Sequence, residues 1–459
     1  MNETINHSSA WVKDAIFYQI FPERFANGDP SNDPPGVQPW GAKPTGRNFF
    51  GGDLQGIIDH LDYVKDLGAN TIYLNPVFAS SSNHKYTTSD YMNIDPEFGT
   101  NDLFKKLVDT CHAKKIRIII DGVFNHTGVD FWAFEDIKKN GAQSKYAGWY
   151  NIYSYPVGPP NKPNYECWWK LGALPKLMVE NPDVKKYLFD VARYWTSMGI
   201  DGWRLDVPNE IPHDFWVEWR KLVKSINPDC YIVGEIWENA SAWLQGDQFD
   251  GVMNYLWRGI CLDFFCREKI SANEFDEKLT HLRSLYPPDA NYDLQNLLGS
   301  HDTERYLTLC DGDVAKVKLS VLFQMTYLGA PMVYYGDEIG MEGGKDPDCR
   351  RTMIWDQNKW NKDLRAHFQK MISLRNELPA LRQGGFQTIA AENDLFIYKR
   401  STDKQDIFIA VNRSISGKKF KIPSDKQLKD AVTGEILRRK NGIYTSSVDA
   451  MSGRILVEG

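Results

Sequence analysis

Four groups of polar residues stand at the ends of short apolar runs: Asp121 with Asn125 and His126, Arg204 with Asp206, Glu235, and His301 with Asp302. Arg204 and Asp206 are i and i+2 in an extended run, so their side chains face the same way. Three carboxylates brought into one cavity suit the cleavage of a sugar bond. One would attack as nucleophile and a protonated second would serve the leaving oxygen, roughly 5–5.5 Å apart if configuration is retained. An arginine beside the nucleophile would hold it ionised. A third carboxylate would raise the pKa of the acid and grip sugar hydroxyls. The same residue types at consecutive strand ends also suit a metal-dependent lyase of the enolase type, with the carboxylates as metal ligands. Spacing alone leaves both open, and an Asp at a strand end taken singly is more often a cap or turn residue.

The elements that must position these groups alternate along the chain. Strand-like runs cover 16–21, 71–75, 117–123, 202–206, 231–235, 251–255, 296–300 and 331–335. Helix-like patterns fill 54–67, 101–114, 184–198, 214–226, 274–285, 313–327 and 362–376, with a weak one at 239–245. Asn101-Asp102 and Asn181-Pro182 read as helix starts, Gly68 and Gly199 as stops. Eight near-continuously apolar strands, each followed by a helix, predict an α/β fold: a parallel (β/α)8 TIM barrel whose active site lies at the C-terminal ends of the strands. Residues 1–124 and 181–382 form this expected barrel. A Tyr-, Trp-, Pro- and Gly-rich stretch at 125–180, after the third strand, is too long for a bare loop and predicts an inserted subdomain. From 383 to 459 short β runs between polar turns predict a C-terminal all-β sandwich domain.

Composition narrows the function classes. The 459 residues carry a net charge of −6, which gives no electrostatic reason to expect nucleic acid. No apolar run is long enough to span a membrane; the nearest, 321–335, is broken by Gln324, Thr326, Gly329 and Pro331. The polar first fourteen residues show no secretory signal, and seven cysteines without CxxC spacing argue against a disulfide framework or a zinc ribbon. Reduced thiols in a cytoplasmic protein are the expectation. Aromatic residues make up 13% of the chain, either core or flat faces for a ligand.

The short segments DGVFNH at 121–126, GWRLDVPNE at 202–210, EIWE at 235–238 and GSHDTE at 299–304, in that order, resemble the α-amylase family of glycoside hydrolases. GANTIYLNP at 68–76, LPKLM at 174–178 and GAPMVYYGDEIGM at 329–341 extend the likeness. Within that family the chain is most similar to the neopullulanase, cyclomaltodextrinase and maltogenic amylase group, through WVKDAIFYQIFPERFANGD at 11–29, FFGGDLQGI at 49–57, SNHKYTTSDYMNIDPEFGT at 82–100 and DPDCRR at 346–351. The resemblance implies Asp206 as nucleophile, Glu235 as general acid/base and Asp302 as transition-state stabiliser. It implies sugar-binding roles for Tyr86, His126, Arg204, Trp237, His301, Asp346 and Arg350, and a shape-holding role for Asp121 and Asn125. The reaction implied is retaining hydrolysis of α-1,4-glucosidic bonds in maltooligosaccharides, cyclodextrins, pullulan or starch. Transfer to a second sugar by the same residues is the alternative, and a non-catalytic relative would have lost one of the three carboxylates.

The segment NGDPSND reads by itself as an Asx-rich turn. The resemblance turns it into a structural Ca²⁺ loop, with Asn27, Asp29, Asn32, Asp33, Gly51 and Asp53 as the oxygen donors. It also implies an α-glucan oligosaccharide partner and a monomer or homodimer; members of the group usually begin with an additional N-terminal β domain, which this sequence, with its barrel starting at Trp11, is expected to lack. Met178, Pro208 and Glu238 depart from the group's usual Asn, Ala and His, and Trp168 and Trp169 are further candidates to stack on glucose.

Overall fold

The computed structural model describes residues 9–440 and 443–458. In chain order the strands of the first part are β1 (Phe17–Ile20), β2 (Thr71–Leu74), a hairpin of β3 (Phe78–Ser80) and β4 (Thr88–Ile94), β5 (Arg117–Gly122), β6 (Gly202–Leu205), β7 (Tyr231–Gly234), β8 (Gly251–Val252), β9 (Gln295–Leu297) and β10 (Ala330–Tyr334). All but the hairpin join one parallel sheet in the order β8-β7-β6-β5-β2-β1-β10-β9. A parallel bridge from Met253 to Gln295 brings the outermost strands together, so the sheet is a nearly closed barrel. The eight strands expected from sequence are the eight observed.

Phe17, Tyr73, Ile119, Tyr231, Val233, Met253, Leu297 and Met332 fill the barrel interior, and helices cover its outside, which is why these strands carry apolar residues on both faces. Asn181 caps the helix Pro182–Ser197 by accepting from the Asp183 and Val184 amides. Gly68 and Gly199 end their helices with φ of +96° and +102°, which only glycine adopts freely. The weak helix expected at 239–245 does not form. The Asn239 side chain accepts from the Ser241 amide and the segment runs as successive turns. A helix over Tyr255–Cys261, capped by Asn254, follows β8 instead.

The insert after β5 carries one helix, Trp132–Asn140, and several short turns. Antiparallel bridges Tyr150 to Leu177, Ile152 to Tyr165 and Cys167 to Pro175 hold it together. The C-terminal part holds β11 (Gly385–Glu392), β12 (Leu395–Ser401), β13 (Asp406–Asn412), β14 (Lys418–Pro423), β15 (Leu428–Asp430), β16 (Arg439–Lys440), β17 (Ile443–Val448) and β18 (Ser452–Glu458). They form a five-stranded and a three-stranded antiparallel sheet around their own core of Leu395, Phe408, Phe420, Tyr444 and Leu456.

One fully buried arginine joins this part to the barrel, and a second, inside the barrel, shares one of its acceptors. Arg400 of β12 donates to the carbonyls of Thr326, Leu381, Gly384 and Gly385. Arg375 donates to those of Met325, Tyr327, Gly329 and Leu381. The expectation of seven reduced thiols is corrected at one pair: Cys266 and Cys310 are joined, their Cα atoms 4.8 Å apart. They lie 44 residues apart in sequence and meet only in the folded chain. Among the described residues no helix is long and apolar enough to cross a membrane.

Candidate active site

Every candidate catalytic residue sits at or just beyond the C-terminal end of a barrel strand, where successive strands deliver side chains to one place. Asp121 is the penultimate residue of β5, Arg204 lies in β6 with Asp206 just after it, Glu235 follows β7, and His301 and Asp302 lie beyond β9. The Arg204 guanidinium is the hub. Its Nη1 lies 2.9 Å from both Asp121 carboxylate oxygens and 3.0 Å from Asp206 Oδ1, while Nη2 lies 2.9 Å from Glu235 Oε2. Arg204 is completely buried, so its charge acts with little screening by water.

Asp121 is a shaping group. Besides Arg204 it accepts from the hydroxyls of Tyr73 and Tyr86, each at 2.8 Å, and it is fully buried. Tyr86, on the turn of the β3–β4 hairpin, reaches His301 Nε2 at 2.7 Å with the two rings parallel. His301 Nδ1 faces Gln19 Nε2 at 2.9 Å, and that amide also donates to Asn75. An amide N–H on Nδ1 leaves the His301 proton on Nε2, directed at Tyr86 and at Asp302 Oδ2, 3.1 Å away. Burial and the nearby arginines hold His301 far below its ordinary pKa, so it is neutral.

Arg350 joins the network from the loop after β10. Its Nη2 donates to Asp302 Oδ1 at 3.1 Å, its Nε to the His301 carbonyl, and its Nη1 lies 3.2 Å from Asp346. Trp237 donates its indole N–H to Glu235 Oε1 at 3.0 Å and stacks on Tyr255 with ring centres 3.7 Å apart. His126 stands to one side. It stacks on Trp168, its Nδ1 meets Asn125, and its buried Nε2 has no protein partner, which leaves it free for a ligand hydroxyl. Burial pushes its pKa down to about 4.

The electrostatics differ from the sequence expectation at one point. Arg204 was expected to hold Asp206 ionised, and it does pull in that direction. Burial is the larger influence, however, and with Glu235, Asp121 and Asp302 alongside, the Asp206 carboxyl rests well above the ordinary carboxylate range. Asp302 is pushed up to about 7, chiefly by burial and then by Glu235. Four carboxylates share two guanidinium groups, and the surplus of negative charge favours a retained proton.

Gln19, Tyr73, Asn75, Val207, Met253 and Tyr255 belong to the network although sequence reasoning did not assign them. The signal for the first three was present: polar residues inside fully buried parallel strands are rare and need partners. Val207 gave no signal. It is a β-branched residue in the left-handed region, φ +34° and ψ +51°, and its amide donates to Glu235 Oε2 at 3.2 Å. Of the residues that depart from the group's pattern, Pro208 is buried behind Asp206 and accepts from Trp216 Nε1, whereas Glu238 is exposed.

The candidate calcium loop is built around buried oxygens. Asn27 Nδ2 donates to Asp33 at 2.7 Å, and the side-chain oxygens of Asn27 and Asn32 are buried without a partner. Gly51, at φ +79°, packs so closely that a Cβ there would lie 2.1 Å from Asp33 Oδ1. These oxygens suit a hard cation. Asp29 and Asp53 are engaged differently. Asp29 accepts from Ser31, and Asp53 accepts from the amides of Gly28, Asp29 and Gly56, capping the helix Leu54–Asp59. Among the described residues no three His, Cys, Asp or Glu side chains gather as a metal site.

Comparison with known proteins identifies the family. The family described as "Alpha amylase, catalytic domain" matches residues 19–377, and "Alpha-amylase C-terminal domain" matches 384–456. The chain is 50% identical over 458 residues to Neopullulanase 2 of Thermoactinomyces vulgaris, covering 98% of this chain and 78% of that one. It is 51% identical over 432 residues to a cyclomaltodextrinase of Geobacillus thermopakistaniensis, covering 93% and 74%. Cyclic alpha-maltosyl-(1-->6)-maltose hydrolase from Arthrobacter globiformis superposes with a TM-score of 0.92 at 42% identity, covering 98% and 99%.

Proposed function

We propose that this chain, which belongs to the α-amylase family of glycoside hydrolases, hydrolyses α-1,4-glucosidic bonds of maltooligosaccharides and related glucans with retention of configuration. The observation that carries the reading is the single Arg204 guanidinium in contact with both Asp206 and Glu235. Two carboxylates held on one side chain are a close pair, the arrangement a double displacement requires. Neopullulanase and cyclomaltodextrinase relatives support pullulan and cyclodextrins as further substrates.

In the first step an Asp206 oxygen attacks the anomeric carbon, the bond from that carbon to the glycosidic oxygen breaks, and Glu235 gives its proton to the departing oxygen. The product is a glycosyl ester on Asp206. In the second step Glu235 takes a proton from water, whose oxygen attacks the same carbon and releases Asp206 as a carboxylate. An incoming sugar hydroxyl in place of water gives transfer. Burial raises the energy of the Asp206 anion and makes it a stronger nucleophile, while Arg204 keeps it accessible. Asp302, Arg350, His301 and the unpartnered His126 Nε2 ring the position where the sugar hydroxyls would lie, and Tyr86 offers the flat face below.

In this reading Asn27, Asn32, Asp33 and the Gly51 carbonyl would hold a structural Ca²⁺, with Asp29 and Asp53 fixing the loop around it. An ion held there would brace the segment after β1 and would supply no chemistry to bond cleavage.

Asp206→Asn and Glu235→Gln are each expected to abolish release of reducing sugar from maltotriose while leaving the circular dichroism spectrum intact. Near-normal activity in either would overturn the assignment. The active chain is then followed over time on pullulan. Panose would indicate α-1,4 cleavage, maltotriose α-1,6 cleavage, and products longer than a maltotriose substrate would reveal transfer.

A further inference from the structure

A cavity of about 940 Å³ opens between the loop Trp40–Pro44 and the segment Gly340–Lys359, lined by none of the residues assigned to catalysis or to sugar binding. Its size is toward the upper end for ligand sites, about 300–1,000 Å³. One wall is apolar and fixed. The Trp40 indole, 37% exposed, is held by donation from its Nε1 to the Met353 carbonyl at 2.8 Å.

The charged groups of the lining balance one another. Lys43, Arg351 and Lys359 stand against Glu342, Asp348 and Asp356. Arg351 and Asp348 form a planar two-bond pair, Nε to Oδ1 at 2.9 Å and Nη2 to Oδ2 at 2.7 Å. A phosphate or a metal ion would find half of this lining repulsive. A neutral polyhydroxylated ring fits both walls: its C–H face lies against an indole, and its hydroxyls meet planar groups that offer paired donors and acceptors.

The cavity is mechanically joined to the catalytic cleft on two sides. In the turn Asp348–Arg350, Arg350 points to Asp302 and Asp346 whereas Asp348 points to the cavity. On the other side Asn83, three residues before Tyr86, donates to the Asn48 carbonyl at the base of the Trp40 loop, at 2.8 Å.

We propose that this cavity is a second α-glucan-binding site, separate from the cleavage site, which holds another stretch of glucan. The ligand class rests on the function proposed above; the site itself rests on the cavity's own chemistry. Occupying it would raise the local concentration of a long substrate at the cleft.

The test is calorimetric titration of the Asp206→Asn chain with maltoheptaose. Two classes of binding are expected. Trp40→Ala and Arg351→Ala should each weaken one class by about tenfold, and Tyr86→Ala should weaken only the other. Arg351 has an exposed side chain, so its truncation tests the site even where Trp40→Ala perturbs folding. A single class that responds to Tyr86→Ala and not to Trp40→Ala or Arg351→Ala, or two classes that ignore both Trp40→Ala and Arg351→Ala, would overturn the proposal. Binding that responds to Trp40 and Arg351 but not to Tyr86 supports the second site even where the cleft itself binds no glucan, an outcome that would count against the proposed function alone.

Discussion

Arg204 contacts Glu235 directly, Nη2 to Oε2 at 2.9 Å, in addition to the aspartate two residues along its own strand. One buried cation therefore sets the relative position of Asp206, Glu235 and Asp121. Its planar fork is what allows one side chain to reach so many oxygens, and a lysine offers only a point charge.

Arg204→Lys should therefore behave as a catalytic lesion rather than a mild substitution. The expected loss in kcat on maltotriose is about 10²–10³-fold, the scale seen when one preorganised electrostatic contact is removed. Retention of more than a tenth of the normal kcat would show that the geometry does not depend on the guanidinium.

The raised carboxyls set a pH trend in stability. Asp302 at about 7, Glu23 at about 7, Asp337 at about 6 and Asp293 at about 8 all titrate higher in the folded chain than ordinary carboxyls do, each chiefly through burial. Such a group binds more protons folded than unfolded, so its contribution is complete below about pH 4 and is lost as pH rises through the folded value. The melting temperature of the ligand-free chain should fall between pH 5 and 8 by this contribution. Asp302→Asn should flatten the fall and melt higher than the parent at pH 8. A variant with an unchanged slope would remove Asp302 from the account.

Val207 should reverse a familiar ranking. Glycine normally destabilises a folded chain relative to alanine by roughly 0.5–1 kcal/mol, but a left-handed residue with a Cβ carries about 1–2 kcal/mol of strain. Val207→Gly should therefore be at least as stable as Val207→Ala in urea unfolding. An alanine variant clearly more stable than the glycine one would mean that the backbone at Val207 is not left-handed.

Calcium should act on stability and leave the chemistry alone. Among the described residues no hydrogen bond runs from the Asn27–Asp33 loop to Asp206, Glu235 or Asp302. Stripping the metal with a chelator should lower the melting temperature, and adding Ca²⁺ at a hundred times its Kd should restore about 2.7 kcal/mol. Activity well below the melting range should not change. Loss of activity at low temperature in a folded, metal-free chain would contradict a purely structural ion.

Much of the barrel was legible because its strands are buried on both faces and read as apolar runs broken by Gly, Pro and Asn. The strand-end carboxylates were legible for the same reason, as charged residues where the pattern changes. What escaped depends on contacts distant in sequence. Gln19 and His301, 282 residues apart, meet only in the closed barrel. The net pull on Asp206 follows from how deeply four acids are buried, which no local spacing records. The Asn239 turn displaced a helix by a side-chain bond to its own backbone, and the Cys266–Cys310 pair was hidden by the 44 residues between its members.

Arg400, at the seam between barrel and C-terminal sheets, carries a lesson for anyone recombining modules of this kind. Arg400 belongs to one side, yet the carbonyl of Thr326 that it satisfies belongs to the other. A cut near residue 384 would strand buried donors and acceptors on both pieces at once. The seam is therefore a poor crossover point for chimaeras, and calorimetry should record one cooperative melting event rather than two.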